Sequence, residues 1–237
     1  MKAMEIVPLG DSALLVTVGD RIDEATHARV RAAALALRAG HLPAVTEIVP
    51  AYASLTVFYQ PLQAIVDGAP EDDVVGWLSA RVRERLAKLP SKPSPPAGRH
   101  WDVPVCYDAD FAPDLTEVAA RAGMPTEKVV ALHQKTEFLV YLIGFAPGFP
   151  YMGGLPASLA MPRRAEPRKR VAPGSVGIID SQCCIYPVET PGGWNLIGRT
   201  PLRLYRPEAE QPSLLQAGDR IRFHAISREE FAHWKES

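Results

Sequence analysis

Five arginines, a glutamine and several aromatics fall within one stretch of this 237-residue chain, residues 144–201. Arg163, Arg168 and Arg199, with Arg164 beside the first, carry planar guanidinium forks that match a carboxylate or a phosphate bidentately. Gln182 offers both an amide donor and an amide acceptor, so it can read another amide. Tyr151, Tyr186 and Trp194 have the flat faces that wall a small pocket. Gly153-Gly154 and Gly192-Gly193 either expose backbone N–H groups to an anion or make tight turns. Read as a ligand site, Arg163, Arg168, Gln182, Tyr186, Trp194 and Arg199 surround one polar pocket. There guanidinium groups meet a carboxylate or phosphate, and Gln182 orients an amide. Read as scaffold, the same aromatics are barrel core and loop plugs, and the arginines bond loop carbonyls.

Signatures of conventional catalysis are missing. Gly174-Ser175-Val176-Gly177 lacks the second spacing of a nucleophile elbow. Neither a phosphate-binding GxxxxGK[ST] loop nor a GxGxxG fingerprint occurs. Cys183-Cys184 is not a CxxC pair and has no histidine at metal-ligand spacing, so no metal site is expected. Both cysteines read as strand residues, one facing inward. No catalytic residue is assigned. His27 and His41, near helix ends, read as surface or capping residues.

The elements that must position these side chains follow from punctuation and periodicity. Nine of the 17 glycines and nine of the 23 prolines lie in 144–201, so the backbone there follows a detailed loop path. Between the turns, residues 175–179, 183–188 and 195–198 have strand length and strand-like residues. A small β-barrel or sandwich with elaborate loops is the expected form. Residues 100–105, 138–143, 202–205 and 220–224 read as its further strands. Two short helices open at Pro113-Asp114 and Pro125-Thr126, and a last one opens at Ser227. Upstream, residues 1–90 predict a separate α+β domain in the order β-α-β-β-α, which suggests a ferredoxin-like half-sandwich. Its strands are 12–18, 46–49 and 55–59. One helix runs from Asp23 to a C-terminal stop at Gly40, and another starts at Asp72-Asp73. The proline-rich segment 91–98 is the stiff linker to the second domain, 99–237.

Composition sets outer bounds. Hydrophobic content of 47% and charged content of 22% are those of a soluble globular protein. A formal net charge of -1 does not advertise nucleic-acid or anionic-membrane binding. No apolar run has the length of a membrane span, and none resembles a signal peptide. Three cysteines fit a reducing compartment, and the expected location is the cytoplasm.

Beyond these residue-level readings, the chain resembles a known family along nearly its whole length. The matching pieces begin with Pro104-Val-Cys-Tyr107, Leu132-His133, Gly144-Phe-Ala-Pro-Gly-Phe-Pro-Tyr151 and Gly153-Gly-Leu155. They continue with Pro162-Arg163, Pro167-Arg168, Gly174-Ser-Val-Gly-Ile178, Ser181-Gln182, Ile185-Tyr-Pro187, Pro191-Gly-Gly-Trp194 and Gly198-Arg-Thr-Pro201. The sequence is similar to the B-type subunit of 5-oxoprolinase, also called allophanate hydrolase subunit 1, a family that includes the sporulation-kinase inhibitor of Bacillus. This resemblance implies a C-terminal cyclophilin-like β-barrel behind the small α+β domain. It also implies work in a hetero-oligomeric complex with a C-type protein, resembling allophanate hydrolase subunit 2, and with an A-type protein. Together they form an ATP-dependent hydrolase that opens pyroglutamate to glutamate, with ATP entering at the level of the complex. The common theme with related urea carboxylase domains is activation of a small amide or lactam. The second reading is a regulatory binding protein that inhibits a sensor histidine kinase. Reading frames for C-type and A-type proteins beside this one discriminate for the enzyme. A peptidyl-prolyl isomerase is suggested by the barrel alone, and fold does not fix function. The chain departs from the family pattern Gly-Ser-Gln-Thr-Gly-Ile-Tyr-Pro at three positions. Asp180 stands for the first Gly, and Cys183-Cys184 for Thr-Gly. Backbone freedom is thereby reduced at two points, and a hydroxyl gives way to a weaker thiol donor.

Overall fold

The computed structural model describes residues 4–40, 42–90, 93–94 and 96–235. His41 and part of the expected proline-rich linker lie outside these residues. The chain divides into two compact units, Met1–Pro96 and Ala97–Ser237, and each mixes helices and strands.

In the first unit, β1 (Glu5–Pro8), β2 (Ala13–Thr17), β3 (Val45–Pro50) and β4 (Ser54–Tyr59) form an antiparallel sheet in the order β1-β2-β4-β3. Helix α1 (Glu24–Ala39) connects β2 to β3, and α3 (Val74–Ala87) follows β4 after a short helix α2 (Pro61–Val66). Two aspartates start the long helices. The Asp23 carboxylate accepts from Thr26 N at 2.7 Å and that of Asp73 from Gly76 N at 2.9 Å, satisfying amides the helix cannot. Val30, Ala33 and Leu37 of α1 and Leu78, Val82 and Leu86 of α3 then bury one core against Leu14, Val16, Leu55 and Val57 of the sheet.

The expected β-α-β-β-α run is present, with β1 and α2 in addition. One expectation is corrected: His27 is buried on α1 rather than at the surface. Gly40 ends α1 as expected, with φ -92°, outside the left-handed region. Its missing Cβ instead admits the Arg85 guanidinium, which donates to Gly40 O at 2.8 Å; a Cβ there would lie 2.3 Å from Arg85 Cζ.

The second unit is a seven-stranded, nearly closed barrel-like sheet. Its strands are β5 (His100–Val105), β6 (Glu137–Ile143), β7 (Pro150–Gly153), β9 (Ser175–Ile179), β10 (Gln182–Ile185), β12 (Asn195–Arg199) and β13 (Arg220–Ala225). Around the sheet they run β12-β9-β10-β7-β6-β13-β5. The two edges meet through one antiparallel bridge: Cys106 N donates to Arg199 O at 2.8 Å, and Arg199 N to Cys106 O at 2.9 Å. That contact brings the two edges of the sheet together and nearly closes it. The short pair β8 (Arg168–Val171) and β11 (Thr190–Gly192) forms a separate ribbon. Helices α4 (Leu115–Ala122), α5 (Thr126–Lys135) and α6 (Arg228–Ala232) complete the unit. The expected strand at 202–205 is absent; that segment is irregular, with a single bridge between Tyr205 and Ser213. Backbone groups there bond across the loop instead, Leu214 N to Leu204 O at 2.8 Å and Arg206 N to Pro212 O at 2.7 Å.

Strand alternation separates two cores. Met152, Val176, Ile178, Cys183, Ile185 and Ile197 face into the barrel. Tyr151, Ile179, Cys184 and Leu196 face outward, where Phe149, Tyr186 and Trp194 cover them. Strand β9 is therefore buried on both faces.

Asp180 sits at φ +45° in the two-residue turn joining β9 to β10, where Ile179 pairs with Gln182. A left-handed turn position favours glycine, and aspartate tolerates it better than most residues. Asp180→Gly is expected to raise unfolding stability by about 0.5 kcal/mol, the relieved strain being partly offset by glycine's greater chain entropy. Denaturant unfolding of the two proteins checks this, and a lower midpoint for the glycine variant would contradict it.

Candidate functional site

The loop from β6 to β7 is closed by short backbone bonds, Gly144 N to Phe149 O at 3.0 Å and Phe149 N to Ala146 O at 3.0 Å. Phe145 at its tip has φ +68° and is 64% exposed, a strained backbone that holds an aromatic in solvent. Behind it runs a chain of rings. Phe145 meets Phe149 edge-on at 5.2 Å between centroids, and Phe149 meets Tyr186 at 5.2 Å and 87°. Tyr151 lies 6.1 Å from Trp194. These spacings are those of mutually attractive ring quadrupoles.

The second Gly-Gly pair makes this packing possible. A Cβ on Gly192 would fall 2.3 Å from the Tyr186 hydroxyl, and one on Gly193 would fall 3.1 Å from Arg163 Cγ. Close approach, rather than anion capture, accounts for both glycines. Arg163 is exposed at the rim. Burial pushes the phenols of Tyr186 and Tyr151 up, and the charge of Arg163 opposes that shift in both.

Of the six residues expected around one pocket, the structure brings Arg163, Tyr186 and Trp194 to this outer face. Gln182 shares the outward side of β10 with Cys184 but stands at the strand's other end, paired with Gly153. Arg168 is engaged elsewhere. Its Nη2 and the Nη1 of Arg164 each donate to Asp114 Oδ1 at 2.7 Å. The other oxygen of Asp114 accepts Leu196 N at 2.6 Å, and Asp114 N donates to Leu196 O at 3.0 Å. Asp114 is 3% exposed, so a buried carboxylate holds both arginines. Arg164 Nε and Arg168 Nη1 are buried without a hydrogen-bond partner among the described residues. Arg199 lies in a different place. Its Nε donates to Pro173 O at 2.7 Å, and its side chain borders a groove beside α6.

Sequence reasoning misses a polar chain inside the barrel. The end of α5 places His133 in the core, stacked on Phe223 at 4.4 Å. Its Nδ1 is 2.8 Å from the Tyr107 hydroxyl and its Nε2 is 3.5 Å from Cys183 Sγ. Cys183 Sγ is in turn 3.9 Å from Cys184 O. One assignment satisfies every donor: Tyr107 O–H to Nδ1, Nε2–H to sulfur, and S–H to the carbonyl. A Cys–His pair at this distance suggests a nucleophile and its base, but burial works against that role. It lowers His133 to about 3 and pushes the Cys183 thiol up. Both groups are held neutral, whereas a reactive pair needs thiolate and imidazolium. Among the described residues no group of three or more His, Cys, Asp or Glu could hold a metal ion. No helix of these residues is long and apolar enough to cross a membrane.

Residues 4–215 match the carboxyltransferase domain, subdomain C and D. The chain belongs to that family. Within it, the chain is 41% identical over 234 residues to the 5-oxoprolinase B subunit of Bacillus subtilis (strain 168), covering 98% of this chain and 97% of that one. The crystal structure of TTHA0988 superposes with a TM-score of 0.76 at 35% identity, covering 91% of this chain; this chain spans 40% of the TTHA0988 chain. The urea amidolyase of K. lactis shares the fold with a TM-score of 0.74 at 17% identity, over 97% of this chain and 15% of its own.

The buried groups can be tested in two ways. Asp114→Asn leaves two guanidinium groups facing a neutral amide, and is expected to cost about 3–5 kcal/mol of unfolding free energy. Denaturant titration measures the loss, and a change below about 1 kcal/mol would show that the pairs carry no weight. His133 gives a pH signature. Below 6.5 the unfolded chain binds a proton that the folded chain refuses down to about 3, so stability falls as pH drops through that window. The slope from this group approaches about 1.4 kcal/mol per pH unit. The stability difference between the wild type and His133→Asn should therefore shrink on acidification from pH 7 to pH 4. A pH-independent difference would refute the assignment.

Proposed function

We propose that this chain is the B-type subunit of an ATP-dependent 5-oxoprolinase, an enzyme complex that opens the lactam of 5-oxoproline to glutamate. The observation that carries the reading is the 41% identity, over nearly all of both chains, to a protein of that name. The sensor-kinase-inhibitor reading is not favoured by the same comparisons. The partners in this proposal are the C-type and A-type proteins of the same enzyme, and ATP enters at the level of the complex. In TTHA0988 the matching fold is part of a longer chain, which supports a fold that works alongside additional protein. We read the first unit as a ferredoxin-like variant with β1 at the sheet edge, the second as cyclophilin-like, and residues 91–98 as the linker between them. We place the complex in the cytoplasm, in keeping with three free, buried thiols.

The outer aromatic face is the part of the molecule that we assign to the complex. Phe145 and Arg163 present an exposed ring and an exposed cation over a rigid stack, the composition of an interface centre. Substrate contact belongs to the same side of the sheet, with Gln182 orienting the amide at one end of β10 and the buried Tyr186 and Trp194 bracing the loops at the other. Arg168 supports it through Asp114. Among the described residues there is no activated nucleophile, and the sequence carries no nucleotide signature; glutamate release in this proposal needs the partner proteins.

Co-expression with the C-type and A-type proteins tests the proposal. The expected result is joint elution on size exclusion and ATP-dependent release of glutamate from 5-oxoproline. Phe145→Ala and Arg163→Ala should weaken co-elution and activity, with melting temperatures within about 2 °C of wild type, as for surface changes. Turnover by the isolated chain, or separate elution of all three proteins at micromolar concentration, would overturn it.

A further inference from the structure

The two edges of the sheet in the first unit are finished differently. An edge strand presents a row of unpaired backbone donors and acceptors, which proteins blunt with bulges, prolines and side chains laid across it. Edge strand β3 carries all three. Its register against β4 shifts between Val45 and Glu47, Pro50 ends it, and Arg38 Nη2 donates to Ile48 O at 2.7 Å. Edge strand β1 pairs with β2 from Glu5 to Pro8 without a shift, and it holds no lysine or arginine. Leu9 N donates to Ala13 O at 2.8 Å, which makes these two a hydrogen-bonded pair. Antiparallel pairs alternate, so Val7 and Glu5 turn their amides toward β2, and the N–H and C=O of Ile6 point to the open side. Pro8, next in that outward set, lacks an N–H and marks the end of the donor row.

Helix α3 adds a cleft along this open edge. Met4, Ile6, Arg83, Leu86 and Ala87 line a cavity of about 220 Å³. Ile6 also packs on the core of the first unit, so its side chain lies on the helix-covered face of the sheet. A residue directly opposite Ile6 on an added strand points its side chain to that same face, into the cleft. The lining is apolar apart from Arg83, which is exposed at the border and meets no carboxylate among the described residues.

We propose that β1 is a docking edge for an extended segment of a partner protein. The segment adds to the sheet as a further antiparallel strand, sets one large apolar side chain into the cleft between β1 and α3, and meets Arg83 with an acidic one. Antiparallel addition continues the pairing that the whole sheet already uses. Its backbone bonds to Ile6 give affinity, and the cleft and the unmatched cation select the side chains. The inference stands on the edge and the cleft and does not depend on the reaction proposed above.

The probe is the acetylated and amidated peptide Thr-Glu-Thr-Leu-Thr-Glu-Thr, titrated into the full chain. Its leucine and both glutamates share one face when extended. Backbone ¹⁵N spectra give affinity and location together. At saturation the Ile6 amide, open in the free protein, should exchange with solvent at least about tenfold more slowly, and the Val7 amide, already turned to β2, should change less. N-methylation of the peptide's leucine removes a donor aimed at Ile6 O and should weaken binding about tenfold or more. N-methylation of the threonine before it, whose N–H points away from β1, should cost less than about threefold. Arg83→Gln should weaken binding about threefold, and more at low salt, as for an exposed ion pair. Ala87→Phe fills the cleft from an exposed helix position and should weaken binding about tenfold or more with the melting temperature unchanged. Absence of saturable binding at millimolar peptide, equal losses from the two N-methyl peptides, an Ile6 amide that stays unprotected, or self-association of the chain through β1 that excludes the peptide would each overturn the docking edge.

Discussion

The buried carboxylate of Asp114 is the contact on which the outer face of the barrel depends. Removing an ionised carboxylate from water costs several kcal/mol unless its oxygens are met by charge and hydrogen bonds. Here they are met by Arg164, Arg168 and the Leu196 amide. The location explains the arrangement. Strand β12 shifts register against β9 between Leu196 and Gly198, which interrupts its ladder at that point. Asp114 answers with both of its polar ends, side chain to Leu196 N and backbone N–H to Leu196 O. One residue thus ties the start of α4, the 162–168 loop and the irregular point of β12. Arg163 adjoins Arg164, whose amide donates to Gly193 O at 2.9 Å. Trp194 follows Gly193 directly. The exposed cation and the aromatic wall are both placed by this one salt-bridged hub.

A second buried carboxylate does comparable work at the far side of the barrel. Asp219 accepts from Arg99 N and Nη2, from Trp101 Nε1 and from Gln216 N. These bonds hold the start of β5 against the start of β13, the one parallel pair in the sheet. Parallel neighbours cannot be joined by a tight turn, so the first and last strands of the unit need such a fastening. With the Cys106–Arg199 bridge at the other edge of β5, the barrel is secured on both sides of its first strand.

Much of this is legible in the sequence wherever a local rule applies. Asp23 and Asp73 announce their helices, and the apolar runs at 175–179 and 100–105 are strands as they stand. What is not legible is non-local. Nothing about Pro113-Asp114 distinguishes a helix-opening aspartate from a buried hub whose partners lie 50 and 54 residues away. The short strands β7, β8 and β11 have weak patterns of their own and exist because neighbours supply the pairing. Leu202 to Tyr205 has strand-like residues but no edge to join, since the barrel closes through Cys106 and Arg199. Residue type and proximity in sequence group the six candidate site residues together. The fold sorts them by strand face and by partner, and only Arg163, Tyr186 and Trp194 share the aromatic stack. His133 carries no composition signal at all, because an isolated histidine on a helix reads the same whether it faces water or a barrel.

The contrast between the two sides of the sheet decides where chemistry can take place. The interior is filled by Phe138, Met152, Ile178, Ile185 and Ile197, and its polar chain, Tyr107–His133–Cys183, has every donor met and both titratable ends held neutral. Such a chain specifies packing and offers nothing to a substrate. Outside, the glycines and prolines of residues 144–201 fix loops against the sheet, with Gly192 admitting the Tyr186 hydroxyl and Gly193 admitting the Arg163 stem. Rigid loops on a closed barrel hold Phe145 and Arg163 in solvent without letting them collapse onto the core. Cys183, where the resemblance expects a threonine, is tolerable for the same reason: at that inward position a weak donor needs to reach only a histidine nitrogen and one carbonyl, while the exposed Phe145 and Arg163 stand on the opposite face.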